Sequence, residues 1–316
     1  MEKEVRNTFD PNEEISIEKF QIIGLDDEPE VLARPRVSYW KDAWRRLKKN
    51  KIALVALIIL LLMTFMVIFG PKISGYAFEE IDTNAINQAP SGKHWFGTDS
   101  LGRDIFARVW QAGRVSLLIG ITGAVISSVV GCIYGGIAAY FGGIVDDIMM
   151  RIVEVLLSIP YLIIVILISV VTDSKSLGTL MLALTLTGWC GIARLVRGQM
   201  LQLKSQEFVL AANALGVSPI KTILKHMIPN TISLIIVAIT FDIPGYIFSE
   251  AFLSYIGLGI QAPNTSWGAL ASAAQQNFMF YPYQMLFPAL MIALTMLSFT
   301  LLGDGLRDAL DPKQRK

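Results

Sequence analysis

Residues 208–230 read FVLAANALGVSPIKTILKHMIPN, a segment punctuated by glycine and proline that lies between two long apolar runs. Gly216 can end a helix in the left-handed conformation that glycine tolerates. Pro219 suits the first position of a following helix. Pro229 predicts that this second helix stops near Ile228, because the residue before a proline disfavours helix. The stretch therefore predicts two short helices joined by a tight turn.

The first of these helices has its own start signal and an unusually smooth surface. Ser205 can cap it, and Glu207 places an acidic group in its first turn. Ala211 and Ala212 form a patch that another protein's groove can approach closely, and the apolar side chains that flank the patch are Leu215, Ile220 and Ile223. Two interpretations stay open on the residues alone: docking onto a partner protein, or an amphipathic loop that lies on a bilayer.

The composition places this segment in a membrane protein. The chain has 316 residues, of which 53% are hydrophobic and 17% are charged, and its mean hydropathy is +0.52. This leaves too little polar surface for a soluble globule. The net charge of +1 excludes a strongly basic nucleic-acid binder. Cys132 and Cys190 both lie in apolar runs, which disfavours a disulfide framework or a cysteine metal site.

Apolar runs long enough to cross the hydrocarbon core, free of charge except for Asp242 in the fifth, predict six membrane spans in an all-α protein. The connection Ile260–Tyr283 is expected to lie near the membrane surface, with an interfacial aromatic belt made of Trp267, Phe278, Tyr281 and Tyr283. The predicted spans are Ile52–Phe69, Val115–Val145, Val155–Thr172, Ser176–Ala193, Ile232–Ser249 and Gln284–Leu302.

The distribution of basic residues predicts the orientation. Arg and Lys cluster before the first span, whereas Lys72 and Lys93 alone follow it as far as residue 100. The positive-inside rule then puts the N-terminus, and with six spans the C-terminus, in the cytoplasm. The opening polar stretch is unlike a signal peptide, so the first span is expected to stay as an anchor. The expected divisions are an N-terminal tail 1–51, the first transmembrane helix 52–70, an extracellular loop 71–113, a core 114–303 that holds the other five spans and a cytoplasmic loop 199–230, and a C-terminal tail 304–316.

Two carboxylates within or beside the fifth span are candidates for function, because charges inside a membrane are costly. Asp242 lies near the middle of this span, with Pro244 just beyond it as a potential kink. It can meet a positively charged group of a solute in a water-filled path, pair with a cation of another protein, or form an interior hydrogen bond. Glu250, at the outer end, suggests either an external gate or an interfacial carboxylate that reaches out to water.

Small residues and turn residues add three structural expectations. A stripe of Gly, Ser and Ala from Gly123 to Gly143 in steps of four predicts close helix packing. Asp99, Arg103 and Asp104 flank glycines ahead of a short amphipathic helix, where they suggest a stabilising ion-pair network or a contact with another protein. His94 lacks a neighbouring His or Cys, which disfavours a metal site. The absence of a GxxxxGK[ST] sequence excludes a P-loop ATPase.

The spacing of Ala211, Ala212, Gly216 and Pro229 resembles the cytoplasmic EAA signature of ABC importer permeases. Leu210 departs from the glutamate that is usual there, and His226 and Ile228 also differ from the pattern. Further motifs resemble the dipeptide and oligopeptide branch, specifically its C-type permease subunit, over about residues 40–312. These motifs are HWFGTDSLGRDIFARVWQAGRVSLLIG, YFGGIVDDIMMRIVEVLLSIP, SEAFLSYIGLGIQAP and GDGLRDALDP.

The resemblance implies a type I ABC importer permease fold in a bacterial plasma membrane. It also implies coupling to ATPase subunits through Ala211, Ala212, Leu215, Gly216, Pro219 and Pro229. The expected partners are a homologous B-type permease, two ATPase subunits that hold ATP and Mg²⁺, an extracellular peptide-binding protein and membrane lipid. No nucleic acid and no cofactor on this chain are expected. Alternatives are a permease for nickel chelates, glycosides or another small solute and, from a different class, a membrane scaffold or receptor that does not transport.

Overall fold

A computed structural model describes residues 39–174, 176–261 and 264–311. Apart from the first three, these residues belong to one unit, which begins at Asp42. This described part is helical and contains no named strand. The helices are α1 (Tyr39–Lys49, which begins just before that unit), α2 (Lys51–Ile73), α3 (Ile105–Phe141), α4 (Gly143–Ser158), α5 (Tyr161–Thr172), α6 (Leu177–Lys204), α7 (Glu207–Ala214), α8 (Pro219–Thr222), α9 (Ile228–Tyr255), α10 (Trp267–Gln275) and α11 (Tyr283–Leu310).

Five helices among the described residues are long and apolar enough to cross a membrane, namely α2, α3, α6, α11 and the continuous helix Pro219–Tyr255. The predicted span Val155–Thr172 is not one straight helix. It is divided between α4 and α5, which are bent by 83°. The break lies at Ile159, which is extended, and Pro160, because a proline pushes the preceding residue out of the helical region.

Helix α3 joins two segments that the sequence suggested separately. The short amphipathic helix expected around Phe106 continues without a break into the second span. Asp104 caps the helix start, since its carboxylate accepts a hydrogen bond of 2.8 Å from the backbone of Ala107. The helix ends at Gly142, which has a φ of 66°. Gly143 begins α4 and is exposed, so the last position of the predicted small-residue stripe does not share its packing.

The rest of that stripe brings α3 into close contact with α6 and α9. A Cβ atom added at Gly131 would lie 2.7 Å from the side chain of Ile192 on α6. One added at Gly123 would lie 2.6 Å from the ring of Tyr246 on α9. Glycine is therefore needed at both positions for the helices to approach this closely, as the sequence predicted.

The connection between α9 and α11 differs from the predicted surface loop. It contains α10, and Trp267 at the start of α10 is completely buried, so its assignment to an interfacial aromatic belt is wrong. Its indole nitrogen donates a 2.8 Å hydrogen bond to the carbonyl of Val109 on α3. Phe278 is exposed, in agreement with the predicted surface position.

The ends of the chain are described in part. Residues 1–38 of the predicted N-terminal tail lie outside the described residues, and its remainder contains α1 and the start of α2. The first transmembrane helix, which was expected over residues 52–70, extends three residues further, to Ile73. At the other end α11 continues to Leu310, so the described beginning of the predicted C-terminal tail is helical.

Candidate functional site

The segment between α6 and α9 contains the predicted turn but not the predicted stop. α7 ends in a Schellman motif, in which the backbone of Val217 donates to Ala212 and that of Gly216 donates to Asn213, each at 3.0 Å. Gly216 has a φ of 72°, and Pro219 occupies the first turn of α8. Both expectations are confirmed.

The helix start and helix stop predicted around this segment are wrong. Ser205 lies at the C-terminus of α6, and Gln206 takes the N-cap position of α7 without a side-chain hydrogen bond. Pro229 does not end the helix that begins at Pro219. One π-helical turn, Ile223–Met227, connects α8 to α9. Its wider spacing gives a proline ring room that a regular α-helical turn lacks.

One side of this segment packs against the protein and the other is exposed. Val209, Ile223 and Met227 belong to a buried cluster with residues of α3, α6 and α9, and Ala212 is buried as well. The outward side chains include Leu215, which is 83% exposed, and those of Leu210, Ile220 and Leu224. We call these four residues the apolar ridge. An exposed apolar surface of this kind marks a contact with another protein or with a membrane.

The six residues predicted to couple the chain to a partner do not all face outward. Ala211, Leu215, Gly216, Pro219 and Pro229 are exposed, whereas Ala212 is buried. A Cβ atom added at Gly216 would meet no atom within 4 Å, so this turn is open to a partner. The hydroxyl of Tyr140 at the end of α3 donates a 3.0 Å hydrogen bond to Asn213 and holds the segment in place.

An ion pair that the sequence did not predict lies close to the same end of α6. The guanidinium of Arg197 donates to both carboxylate oxygens of Asp146, and Asp146 is buried at the start of α4. A two-point Arg–carboxylate contact fixes direction as well as distance. The pair therefore sets the position of α4 relative to α6. The sequence feature that could have suggested this ion pair was the charge of Arg197 at the end of an apolar run.

Asp242 lies in a groove of about 300 Å³ between α5, α6 and α9. Among the described residues its carboxylate forms no hydrogen bond or ion pair, although it is only partly exposed. Pro244 does not interrupt the helix, since α9 continues through it to Tyr255. The interior hydrogen bond considered for Asp242 is therefore absent from the described part of the chain.

Glu250 is completely buried and serves as a shared acceptor for three serines. One carboxylate oxygen accepts from Ser254 at 2.7 Å and from Ser266 at 2.6 Å, and the other accepts from Ser116 at 3.2 Å. These donors lie on α9, just before α10, and on α3. An interfacial carboxylate that reaches out to water is therefore the wrong interpretation, and the external-gate role of Glu250 stays a prediction.

The loop before α3 contains the expected polar network. Arg103 contacts the carboxylate of Asp99 at 2.8 Å. His94, which the sequence left without a partner, lies 3.0 Å from Asp104 through its Nδ1 atom. These contacts hold the loop against the start of α3.

Comparisons with known proteins agree with this helical architecture. Residues 127–316 match the family described as "Binding-protein-dependent transport system inner membrane component". The chain belongs to this family. Residues 38–90 of the permease also match "N-terminal TM domain of oligopeptide transport permease C". It is a multi-pass protein of the bacterial inner membrane, in a family of non-catalytic transport subunits.

The permease is similar over most of its length to curated relatives. It is 49% identical to the dipeptide transport system permease protein DppC of Bacillus subtilis, over 92% of this chain and 90% of the relative. It is 47% identical to the oligopeptide transport system permease protein OppC of the same organism, over 92% and 94%. Its identity to OppC of Escherichia coli K12 is 41%, over 92% and 97%.

A solved structure supports the fold. A chain of the MetNI methionine ABC transporter in an inward-facing conformation superposes with a TM-score of 0.51 at 19% identity. The match covers 64% of the permease and 94% of the other chain. At this identity the likeness concerns the fold.

Proposed function

We propose that this chain is the C-type permease subunit of an ATP-driven importer of oligopeptides or dipeptides. The observation that carries the proposal is the apolar ridge, an exposed surface of which Ile220 and Leu224 lie on the helix that continues without a break to Asp242. Relatives named as dipeptide and oligopeptide permeases, which match almost end to end, support the cargo class.

In this proposal the chain spans the membrane six times, with both termini in the cytoplasm. The bent pair α4–α5 supplies the sixth span when it is counted once. Basic residues before α2 support the orientation through the positive-inside rule. The segment 207–222 then lies on the cytoplasmic side, because Asn213 contacts the end of α3 opposite to the external loop.

The partners follow from the same proposal. A homologous B-type permease completes the translocation path, and an extracellular binding protein delivers the peptide. Two ATPase subunits hold ATP and Mg²⁺, and one of them receives the apolar ridge in its cleft. Leu215, Gly216 and Pro219 form the exposed turn that enters this cleft. Leu210 is exposed and apolar, so the contact at that position is hydrophobic rather than ionic.

Coupling requires two conformational states of the transporter, and both the docking surface and the translocation path must differ between them. Closure of the ATPase pair draws the two docking segments together, and the continuous helix Pro219–Tyr255 transmits this movement to the groove at Asp242. Asp242 lines the path. Glu250, which is buried away from the groove, acts at the external side by holding α10 against α3 and α9.

Uptake by a strain that lacks this chain tests the cargo. We expect uptake of a labelled pentapeptide to fall on deletion and to recover when the gene is restored, while uptake of labelled nickel is unchanged. Loss of nickel uptake with normal peptide uptake would overturn the cargo and keep the architecture. If neither changes, a wider panel of solutes decides between another small cargo and a scaffold or receptor.

A single-residue variant tests the docking surface. Gly216→Asp places a charged side chain on the exposed turn, and we expect it to abolish transport while the protein still inserts. Gly75→Asp is the matched control, because Gly75 also has a positive φ of 77° and open space around it but lies in the external loop. Normal uptake by Gly216→Asp, or equal loss in both variants, would refute the coupling assignment.

A further inference from the structure

One face of α9 places Asp242 among groups that accept or share hydrogen bonds. Asp242, Gly245, Tyr246 and Ser249 are three or four residues apart and therefore lie on one face of the helix, and all four line the groove of about 300 Å³. The opposite wall is formed by residues of α5 and α6, namely Tyr161, Ala183, Leu184, Thr187 and Gly188. Among the residues that the structure describes, no Lys, Arg or His lines this groove, so the net charge of this lining is negative when Asp242 is ionised.

The groove has room for a ligand beside the carboxylate. A Cβ atom added at Gly245 would meet nothing within 4 Å, so the wall next to Asp242 is open. Tyr246 is held in place by a short hydrogen bond with Ser127 of α3. The carboxylate itself has no hydrogen-bond or ion-pair partner in the described part of the chain. An unpaired charge in a membrane span is costly unless a ligand or water satisfies it.

A second cavity continues along α6 and α9 toward the apolar ridge. It has a volume of about 590 Å³ and is lined by Leu195 and Gln199 of α6, by residues from Asn230 to Ala238 of α9, and by residues from Arg307 to Asp311 at the end of α11. Of the described residues, Phe241 alone lines both cavities. Its ring also lies against Gly303 of α11, where an added Cβ atom would be 3.2 Å away. Phe241 therefore lies at the junction of the two spaces.

We propose that the groove at Asp242 is a binding site for the protonated amine of the transported molecule, and that the side chain of Phe241 closes its inner end. The proposal rests on the transport function above and assigns a chemical group to its path. An amine fits because it brings the positive charge that the groove lacks and three N–H donors for a carboxylate and neighbouring hydroxyls. A carboxylate would be repelled at the same place.

Thiol labelling tests both parts without a cargo. The complete transporter is prepared in inside-out vesicles, with Cys132→Ala and Cys190→Ala as background, and one reporter cysteine is introduced in the groove as Ser249→Cys or Thr187→Cys. The rates of reaction with a cationic and an anionic methanethiosulfonate reagent are compared. We expect Asp242→Asn to lower the cation-to-anion rate ratio about tenfold, the size of one lost charge-assisted contact.

The same vesicles test Phe241. We expect Phe241→Ala to raise the labelling rate of either groove reporter from the cytoplasmic side about tenfold or more, while Phe241→Leu changes it little. Ser233→Cys is the matched control, because Ser233 lines the inner cavity and its labelling does not require passage beyond Phe241. An equal rise at Ser233→Cys would indicate general loosening of the helices and would overturn the role of Phe241.

The remaining outcomes are also decisive. An unchanged rate ratio in Asp242→Asn at both reporters would overturn the amine site. Groove reporters that already react as fast as Ser233→Cys in the presence of Phe241 would overturn the closure. The labelling reagents are not cargo, so the labelling rates can be interpreted even if the peptide uptake experiment fails. The amine site and the peptide-transport function can therefore be refuted separately.

Discussion

The carboxylate of Glu250 offers a direct test of how α3, α9 and the segment before α10 are held together. Glu250→Leu removes the acceptor of three serine hydroxyls with little change in side-chain volume, whereas Glu250→Gln keeps one acceptor oxygen. In the wild-type protein the donors come from three places, since Ser254 lies on α9, Ser266 precedes α10, and Ser116 lies on α3. The two variants therefore differ mainly in hydrogen bonding.

The expected magnitude follows from the number of donors left without an acceptor. Each lost bond costs about 1 kcal/mol, so Glu250→Leu is expected to lower the free energy of unfolding by about 3 kcal/mol. Hydrogen bonds between membrane helices average about 0.6 kcal/mol, which gives a lower bound near 2 kcal/mol. Glu250→Gln is expected to cost about 1 kcal/mol or less.

Thermal unfolding of the purified transporter in lipid nanodiscs measures the difference. We expect the apparent midpoint to fall by about 5 to 10 °C for Glu250→Leu and by less than half of that for Glu250→Gln. Adding Ser254→Ala to Glu250→Leu should recover part of the loss, because one hydroxyl no longer needs an acceptor. A Glu250→Leu protein as stable as the wild type, or one that Ser254→Ala destabilises further, would refute this account.

Three further predictions concern packing, the ion pair and the break between α4 and α5. Gly131→Leu should destabilise the protein by about 3 kcal/mol, because its side chain overlaps Ile192; in the same thermal assay Gly198→Leu, which meets nothing within 4 Å, should have little effect. Arg197→Lys keeps the charge but loses the two-point contact with Asp146, and we expect lower transport in the uptake assay with normal membrane insertion; wild-type rates would exclude a positioning role for the pair. Pro160→Ala should reduce the 83° bend between α4 and α5, and an increase in the distance between spin labels on the two helices checks this, whereas an unchanged distance would show that other contacts impose the bend.

The parts of the fold that could be predicted are those with local causes. Gly216 and Pro219 act through their own backbone preferences, so the turn between α7 and α8 follows from a few neighbouring residues. The break at Pro160 also had a local cause, but charge-free length alone does not detect it. The helix stop predicted from Pro229 was wrong because one π-helical turn, Ile223–Met227, accommodates the proline within a continuous helix.

The candidate site depends more on distant residues. From the sequence alone Glu250 was interpreted as an exposed carboxylate, because its contact with Ser116, which is 134 positions away, forms only in the folded protein. The burial of Trp267 likewise requires the carbonyl of Val109, 158 positions away. Asp242 could be selected from its position in an apolar run, whereas the junction at Phe241 exists only when three helices are assembled around it. No local pattern in the sequence marks such a position.

The helix Pro219–Tyr255 has a mechanical consequence. At 1.5 Å per residue its 37 residues form a lever about 55 Å long. Rotation by ten degrees about the Tyr255 end moves the Pro219 end through about 10 Å and Asp242, roughly a third of the way from that pivot, by about 3 Å. A displacement at the Pro219 end therefore reaches Asp242 reduced in amplitude and, by the same leverage, increased in force.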